Sequence, residues 1–401
     1  MGRRLLLLCL VMYVQVALII GTVVAGGRPP AMYVFGSSIL DVGNNNYLLG
    51  PAVDRANHPH NGIDFPASIP TGRFSNGYNI ADYVGLYHSV HVSFPYSLLS
   101  TMDRMLQWYV CWTAGAAAKS MGFACSPPAY LSLAPTTTSS GTLVQAGLSH
   151  GVNYASGGAG ILESTNAGNT VPLSKQVRYF GATKAKMVAA AGTRAVDALL
   201  SSSVFLLGIG NNDMYVFAAA ELARNRSAAD QRRDAAVLYS NLVSNYSATV
   251  TEVCHHKRLA SRLRAGGAAV RVFSPVSACS DTLNQLAAGF DVALQSMLAS
   301  LTPRLPGLVY SLGDAFSFTR DAVADPQVLG YTDVANACCG SGQAPCLPNC
   351  NSTLCADRDR HIFWDRAHPS QRTAFLTAQA FYDGPAKYTT PINFMQLAES
   401  K

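Results

Sequence analysis

The feature that most constrains this chain is a rhythm: short apolar runs alternate with longer stretches of helical period. Residues 32–35, 152–155, 204–209 and 308–312 are apolar runs of strand length, and residues 174–187, 228–252, 283–301 and 371–382 repeat as amphipathic helices do. That alternation is the signature of an α/β domain, a parallel sheet covered by helices. The first three runs stop at small or amide residues: Gly36-Ser37-Ser38, Ser156-Gly157-Gly158, and Gly210-Asn211-Asn212-Asp213. In sheets of this kind ligands sit beyond the carboxyl ends of the strands, so chemistry is expected at those stops.

Composition narrows the function classes. The 401 residues are 49% hydrophobic and only 13% charged, which supplies a sizeable core and argues against disorder. The net charge is +6, but Lys257, Arg258, Arg262 and Arg264 contribute four positive charges in one short stretch. A polyanion reader needs a charged face rather than one local cluster, so nucleic acid is not an expected partner.

The N-terminus reads as an export signal over residues 1–25. Arg3 and Arg4 precede an apolar run, and Val23-Val24-Ala25 offers small residues for cleavage. The alternative is an uncleaved anchor, since the apolar stretch approaches the roughly 20 residues that span a bilayer. No second run of that length follows, so no stable membrane insertion is expected after cleavage, and residues 26–401 form the expected mature domain. Beyond Cys9, nine cysteines remain, an odd number for an oxidising compartment. Those between 338 and 355 lack both Cys-x-x-Cys knuckle spacing and a neighbouring histidine, which favours disulfides over zinc. Sequons at Asn225, Asn245 and Asn351 fit a glycosylated secreted chain.

Acyl transfer needs a nucleophile, a base, an orienting carboxylate and donors for the oxyanion. Ser38 directly follows the first apolar run, at a turn that lifts its hydroxyl to the sheet edge. Asp365 and His368 stand three residues apart on one turn, where a carboxylate can fix the tautomer of an imidazole. Gly158 offers a backbone N–H at close approach, and Asn212 offers a side-chain amide. Each has an ordinary alternative: a turn serine, a capping aspartate, a surface histidine, a turn glycine, a capping asparagine. Only their conjunction in this order is informative. Gly147-Leu148-Ser149-His150-Gly151 matches the Gly-x-Ser-x-Gly nucleophile elbow, but it precedes a strand where an elbow follows one.

Longer blocks carry a resemblance. Residues 35–47, beginning Phe35-Gly36-Ser37-Ser38-Ile39-Leu40-Asp41, are followed by Gly62-Ile63-Asp64-Phe65-Pro66 and by residues 70–77. Asn153-Tyr154-Ala155-Ser156-Gly157-Gly158, Gly210-Asn211-Asn212-Asp213, Ala337-Cys338-Cys339-Gly340 and residues 363–369 complete the series. Together they resemble the plant GDSL esterase/lipase family, an SGNH-hydrolase-like group. The resemblance implies a three-layer, flavodoxin-like α/β/α sandwich with about five parallel strands. It further implies a secreted, cofactor-free and metal-free hydrolase of carboxylic esters, acting on small-molecule or polymeric esters. By the same resemblance Ser38 is the nucleophile and an oxyanion donor, Gly158 and Asn212 are the other donors, and Asp365 and His368 close the triad. An acyltransferase using the same residues stays open.

Four departures stand against the family pattern. Ser37 replaces the acidic residue of Gly-Asp-Ser-Leu, with weaker support of the first turn expected. Residues 85–118 interrupt an otherwise continuous phrase, as translated intron sequence or as a lid loop. Residues 253–267 are basic and carry no β-branched run where an apolar strand is normal, leaving residues 270–273 as a short substitute; a chain without that central strand would be a non-catalytic scaffold. Finally, Cys111 and Cys254 lie inside these two odd stretches.

Overall fold

The computed structural model describes residues 29–89, 126–133, 140–257, 261–267, 273–274, 278–279, 281–339, 346–348 and 354–400. The stretch at 85–118 therefore lies outside the described residues from position 90 onward, as do the residues that would report on an export signal.

Five strands form the main sheet, in the order β1 (Met32–Gly36), β2 (Val204–Gly208), β3 (Ser261–Gly267), β4 (Leu308–Asp314) and β5 (Thr389–Thr390). The first four are parallel; β5 joins β4 antiparallel. Residues alternate across a strand, and here the alternation divides the core. Tyr33, Phe35, Phe205 and Leu207 join one buried cluster with helices α2 (Leu173–Ala191), α4 (Ala228–Lys257) and α5 (Asp281–Leu301). Met32, Val34, Val204 and Leu206 join another with α1 (Ile80–Ser89) and α6 (Gln371–Tyr382). Strands apolar on both sides are what a parallel sheet covered on both faces requires.

Two expectations are corrected here. The basic segment is not a missing strand: Ser261–Gly267 pairs with β2 on one edge and β4 on the other. Propensity is a weak guide where a segment gains backbone partners on both sides. Residues 273–274 instead pair antiparallel with 278–279 in a separate ribbon, so Phe273 is not part of the sheet; residues 270–272 of the expected substitute lie outside the described residues. Conversely, residues 152–155 form no regular strand. Val34 N–H donates to Val152 O, Tyr154 N–H to Val34 O and Ser156 N–H to Gly36 O, which lays the segment along β1. On its other edge the Asn153 backbone bridges Ala129, donating to Pro128 O and accepting from Tyr130 N–H; the pairing goes no further because Ala155 N–H donates to the Asn153 side chain.

The elbow-like Gly147–Gly151 motif sits at the end of a helix, Ser140–Ser149, with no strand before the serine. Cysteines of the C-terminal cluster pair as Cys338–Cys355 and Cys339–Cys346. Among the described residues no helix is long and apolar enough to cross a membrane.

Candidate active site

Ser38 opens the tight turn after β1. Ser37 N–H donates to Gly208 O, and Leu40 and Asp41 N–H both return to Ser37 O. Gly36 is required at the strand end, because a Cβ there would lie 2.5 Å from Gly208 O and 2.9 Å from Leu40. The Gln176 amide clamps this glycine, accepting from Gly36 N–H at 2.8 Å and donating to Gly36 O at 2.9 Å. Ser37 donates to Asn211 Oδ1 at 3.0 Å, a bond that an ionised acidic residue in its place could not donate.

Asp365 and His368 share a turn that the aspartate itself stabilises. Ala367 N–H and His368 N–H donate to Asp365 Oδ1 at 2.8 and 2.9 Å, a local pattern to which aspartate is suited. Trp364 N–H closes the turn onto His368 O. His368 Nδ1 lies 2.8 Å from both carboxylate oxygens, and His368 Nε2 lies 2.8 Å from Ser38 Oγ. An ionised carboxylate only accepts, so Nδ1 carries the proton and the Nε2 lone pair faces the serine hydroxyl. All three side chains are buried, and Phe74 packs its ring 5.0 Å from the imidazole.

The donor loops meet the same rim. Asp41 accepts from Gly43 and Asn44 N–H on one oxygen and from Gly157 N–H on the other, tying the serine turn to the glycine loop. Asp213 fastens that loop to α3 (Asn211–Ala223) by accepting from Ile161 N–H, Leu162 N–H and the Thr165 hydroxyl. Gly158 has φ +77°, a backbone that favours glycine. Among the described residues nothing accepts from the N–H of Ser38 or of Gly158. The Asn212 amide donates to Ala159 O at 2.8 Å; a primary amide has two hydrogens, so one remains.

Sequence reasoning missed Gln176, Asp41 and Asp213 as supports, and two groups near the triad. Asp54 is raised by desolvation, lowered by His368 and raised by Asp365, although the residue is exposed. The Tyr215 hydroxyl is pushed up by burial, then pulled down by Arg366 and up by Asp365, and it has no hydrogen-bond partner among the described residues. Neither belongs to a motif block.

Burial pushes the Asp41 carboxyl up to about 6, against the pull of the backbone N–H groups around it. A folded value above the unfolded 3.8 gives stability that is complete below the unfolded value and is lost as pH rises through about 6. The loss amounts to about 3 kcal/mol for a shift of this size. Denaturant midpoints between pH 4 and 7 are expected to fall more in the wild type than in Asp41→Asn; equal slopes would remove Asp41 as the cause.

A hydroxyl, an imidazole and a carboxylate in hydrogen-bonded series at the rim of a parallel sheet is the arrangement that serine hydrolases use. The chain belongs to the GDSL-like lipase/acylhydrolase family, whose family model matches residues 32–381. It is 31% identical to the GDSL esterase/lipase At5g55050 of Arabidopsis thaliana, over 92% of this chain and 90% of that protein. It is 28% identical to the GDSL esterase/lipase At4g16230 of the same plant, over 99% and 98%. The resemblance read from the motif blocks therefore holds.

Proposed function

We propose that this protein is a secreted carboxylic ester hydrolase built on a three-layer α/β/α sandwich, exported by residues 1–25 and acting through an acyl-enzyme on Ser38. The observation that carries the reading is the unbroken series from Ser38 Oγ through both nitrogens of His368 to Asp365. Ser38 Oγ attacks the ester carbonyl carbon while its proton passes to His368 Nε2. Asp365 holds the imidazole and balances its positive charge. The oxyanion is received by the Ser38 and Gly158 N–H groups and the second Asn212 amide hydrogen, donors aimed at charge that develops only in the transition state. His368 then returns the proton to the departing alcohol oxygen. Water, deprotonated by the same imidazole, attacks the acyl carbon and frees the serine. The relatives' names, esterase/lipase, support lipid or other acyl esters as the substrate class.

Labelling with a fluorophosphonate probe tests this directly, because only an activated serine reacts at neutral pH. Wild-type protein is expected to take up one equivalent, and Ser38→Ala none. A folded wild type that stays unlabelled would make the protein a non-catalytic relative; labelling that survives Ser38→Ala would move the nucleophile elsewhere.

A further inference from the structure

Asp365 has two oxygens, and they are held differently. Oδ1 is served from within its own turn, by Ala367 N–H and His368 N–H. Oδ2 receives one described bond from outside that turn: the backbone N–H of Cys346, at 3.1 Å. Cys346 is fully buried, as is Asp365. The position of this N–H is set by a closed ring of contacts. Cys339 N–H donates to the carbonyl of Trp364, the residue before Asp365, at 2.7 Å. The Cys339–Cys346 disulfide then carries Cys346 back over the aspartate. The ring thus runs from Asp365 to Trp364, to Cys339, across the sulfurs to Cys346, and onto Asp365 again.

We propose that Cys346, held by its disulfide to Cys339, is a positioning residue for the triad: its main-chain N–H fixes the Asp365 carboxylate and, through it, the His368 ring. This rests on the reading of Ser38, His368 and Asp365 given above. The His368 ring reaches both oxygens, but the turn's own backbone N–H groups hold only Oδ1; the Cys346 N–H is the backbone bond that holds Oδ2 and removes the remaining torsional freedom. Without that bond, a buried charged oxygen loses a charge-assisted contact, and the imidazole loses its fixed aim at Ser38. The neighbouring Cys338–Cys355 disulfide serves as an internal comparison. It packs in the same buried cluster against Trp364, but none of its described hydrogen bonds reaches Asp365; Cys338 N–H goes to Phe363 O and Cys355 N–H to Cys338 O.

The experiment compares Cys339→Ala/Cys346→Ala with Cys338→Ala/Cys355→Ala on a short p-nitrophenyl ester, with folding checked by circular dichroism. Both pairs remove one disulfide from one cluster, so both lower the melting temperature. The first pair is expected to reduce kcat and the fluorophosphonate labelling rate roughly 10–100-fold, the range for a lost hydrogen bond to a charged group, with KM unchanged. The second is expected to keep kcat within about twofold of wild type, since no bond to Asp365 is lost. Equal losses in both pairs, or intact kcat in the first, overturn the proposal. Should the first pair fail to fold, folded wild type is treated with a phosphine and the opened disulfide mapped by mass spectrometry. Loss of turnover must then track the opening of Cys339–Cys346, and turnover that tracks only Cys338–Cys355 overturns the assignment. Wild type that never labels at Ser38 indicts the hydrolase reading itself, not the role of Cys346.

Discussion

His368→Ala is expected to lower kcat on short-chain esters by roughly 10⁴–10⁶-fold while leaving KM within a few-fold of wild type, the scale on which serine hydrolases lose activity when the base is removed. The size follows from what the imidazole does. A serine hydroxyl is a weak nucleophile until its proton has somewhere to go, and Nε2 at 2.8 Å is the base positioned to take it. KM is spared because the ring meets a proton of the enzyme rather than the body of the substrate. Asp365→Asn gives the companion result, about a 10⁴-fold loss, since an amide can present N–H to Nδ1 and favour the wrong tautomer. Steady-state kinetics on p-nitrophenyl acetate and butyrate read both variants. A loss under tenfold for His368→Ala would mean that the short contact to Ser38 is structural.

Much of this site was legible from the residues, and the reason is local. Asp365 and His368 meet because three residues of one turn bring them together, and the aspartate caps that turn itself. Gly36 ends β1, Asn212 opens the helix after β2 and Gly158 follows the segment laid along β1, all where apolar pattern gives way to turn chemistry. Supports were not legible, because their partners are far away in sequence. Gln176 reaches Gly36 across 140 residues, and nothing in the local pattern of α2 distinguishes it from helix surface; Asp213 stands in a motif block, but its reach to Thr165 across 48 residues is not written there. The strand β3 was missed for a different reason. Its sequence is poor by propensity, and what makes it a strand is the pair of neighbours that β2 and β4 provide. Residues 152–155 failed in the opposite sense: apolar neighbours suggested a regular strand, while the Asn153 side chain takes Ala155 N–H and leaves single bridges to Val34 and Ala129.

Asp82→Ala is expected to destabilise the fold by about 3–5 kcal/mol, the cost of leaving a buried charge without its partner. Arg73 and Asp82 are only 8% and 2% exposed. They meet through two parallel bonds of 2.7 Å, Arg73 Nε to Asp82 Oδ2 and Arg73 Nη2 to Asp82 Oδ1. The carboxylate has further duties, accepting from Asn79 N–H at the start of α1 and from Ser126 N–H. Its loss therefore leaves the buried guanidinium without its carboxylate, although Nη1 still donates to the Thr71 hydroxyl and the Phe65 ring lies 5.0 Å away, and removes the acceptor of two backbone N–H groups. Domains hold together by roughly 5–15 kcal/mol, so the variant stands near the edge of folding at 37 °C. The penalty belongs to the orphaned charge more than to the attraction, which the paired substitution separates. Arg73→Met/Asp82→Leu removes both charges and is expected to be more stable than Asp82→Ala alone, because a buried ion pair replaced by apolar side chains of similar size is often neutral. Urea denaturation of the three proteins measures this. If Asp82→Ala costs under about 1 kcal/mol, the pair behaves as an exposed one does; if the double variant is the least stable, it is the pair's attraction that the fold depends on. The same link borders the candidate site, since the residue after Arg73 is Phe74, whose ring lies 5.0 Å from that of His368. A chain that keeps folding but releases Arg73 is expected to lose turnover before it loses its sheet.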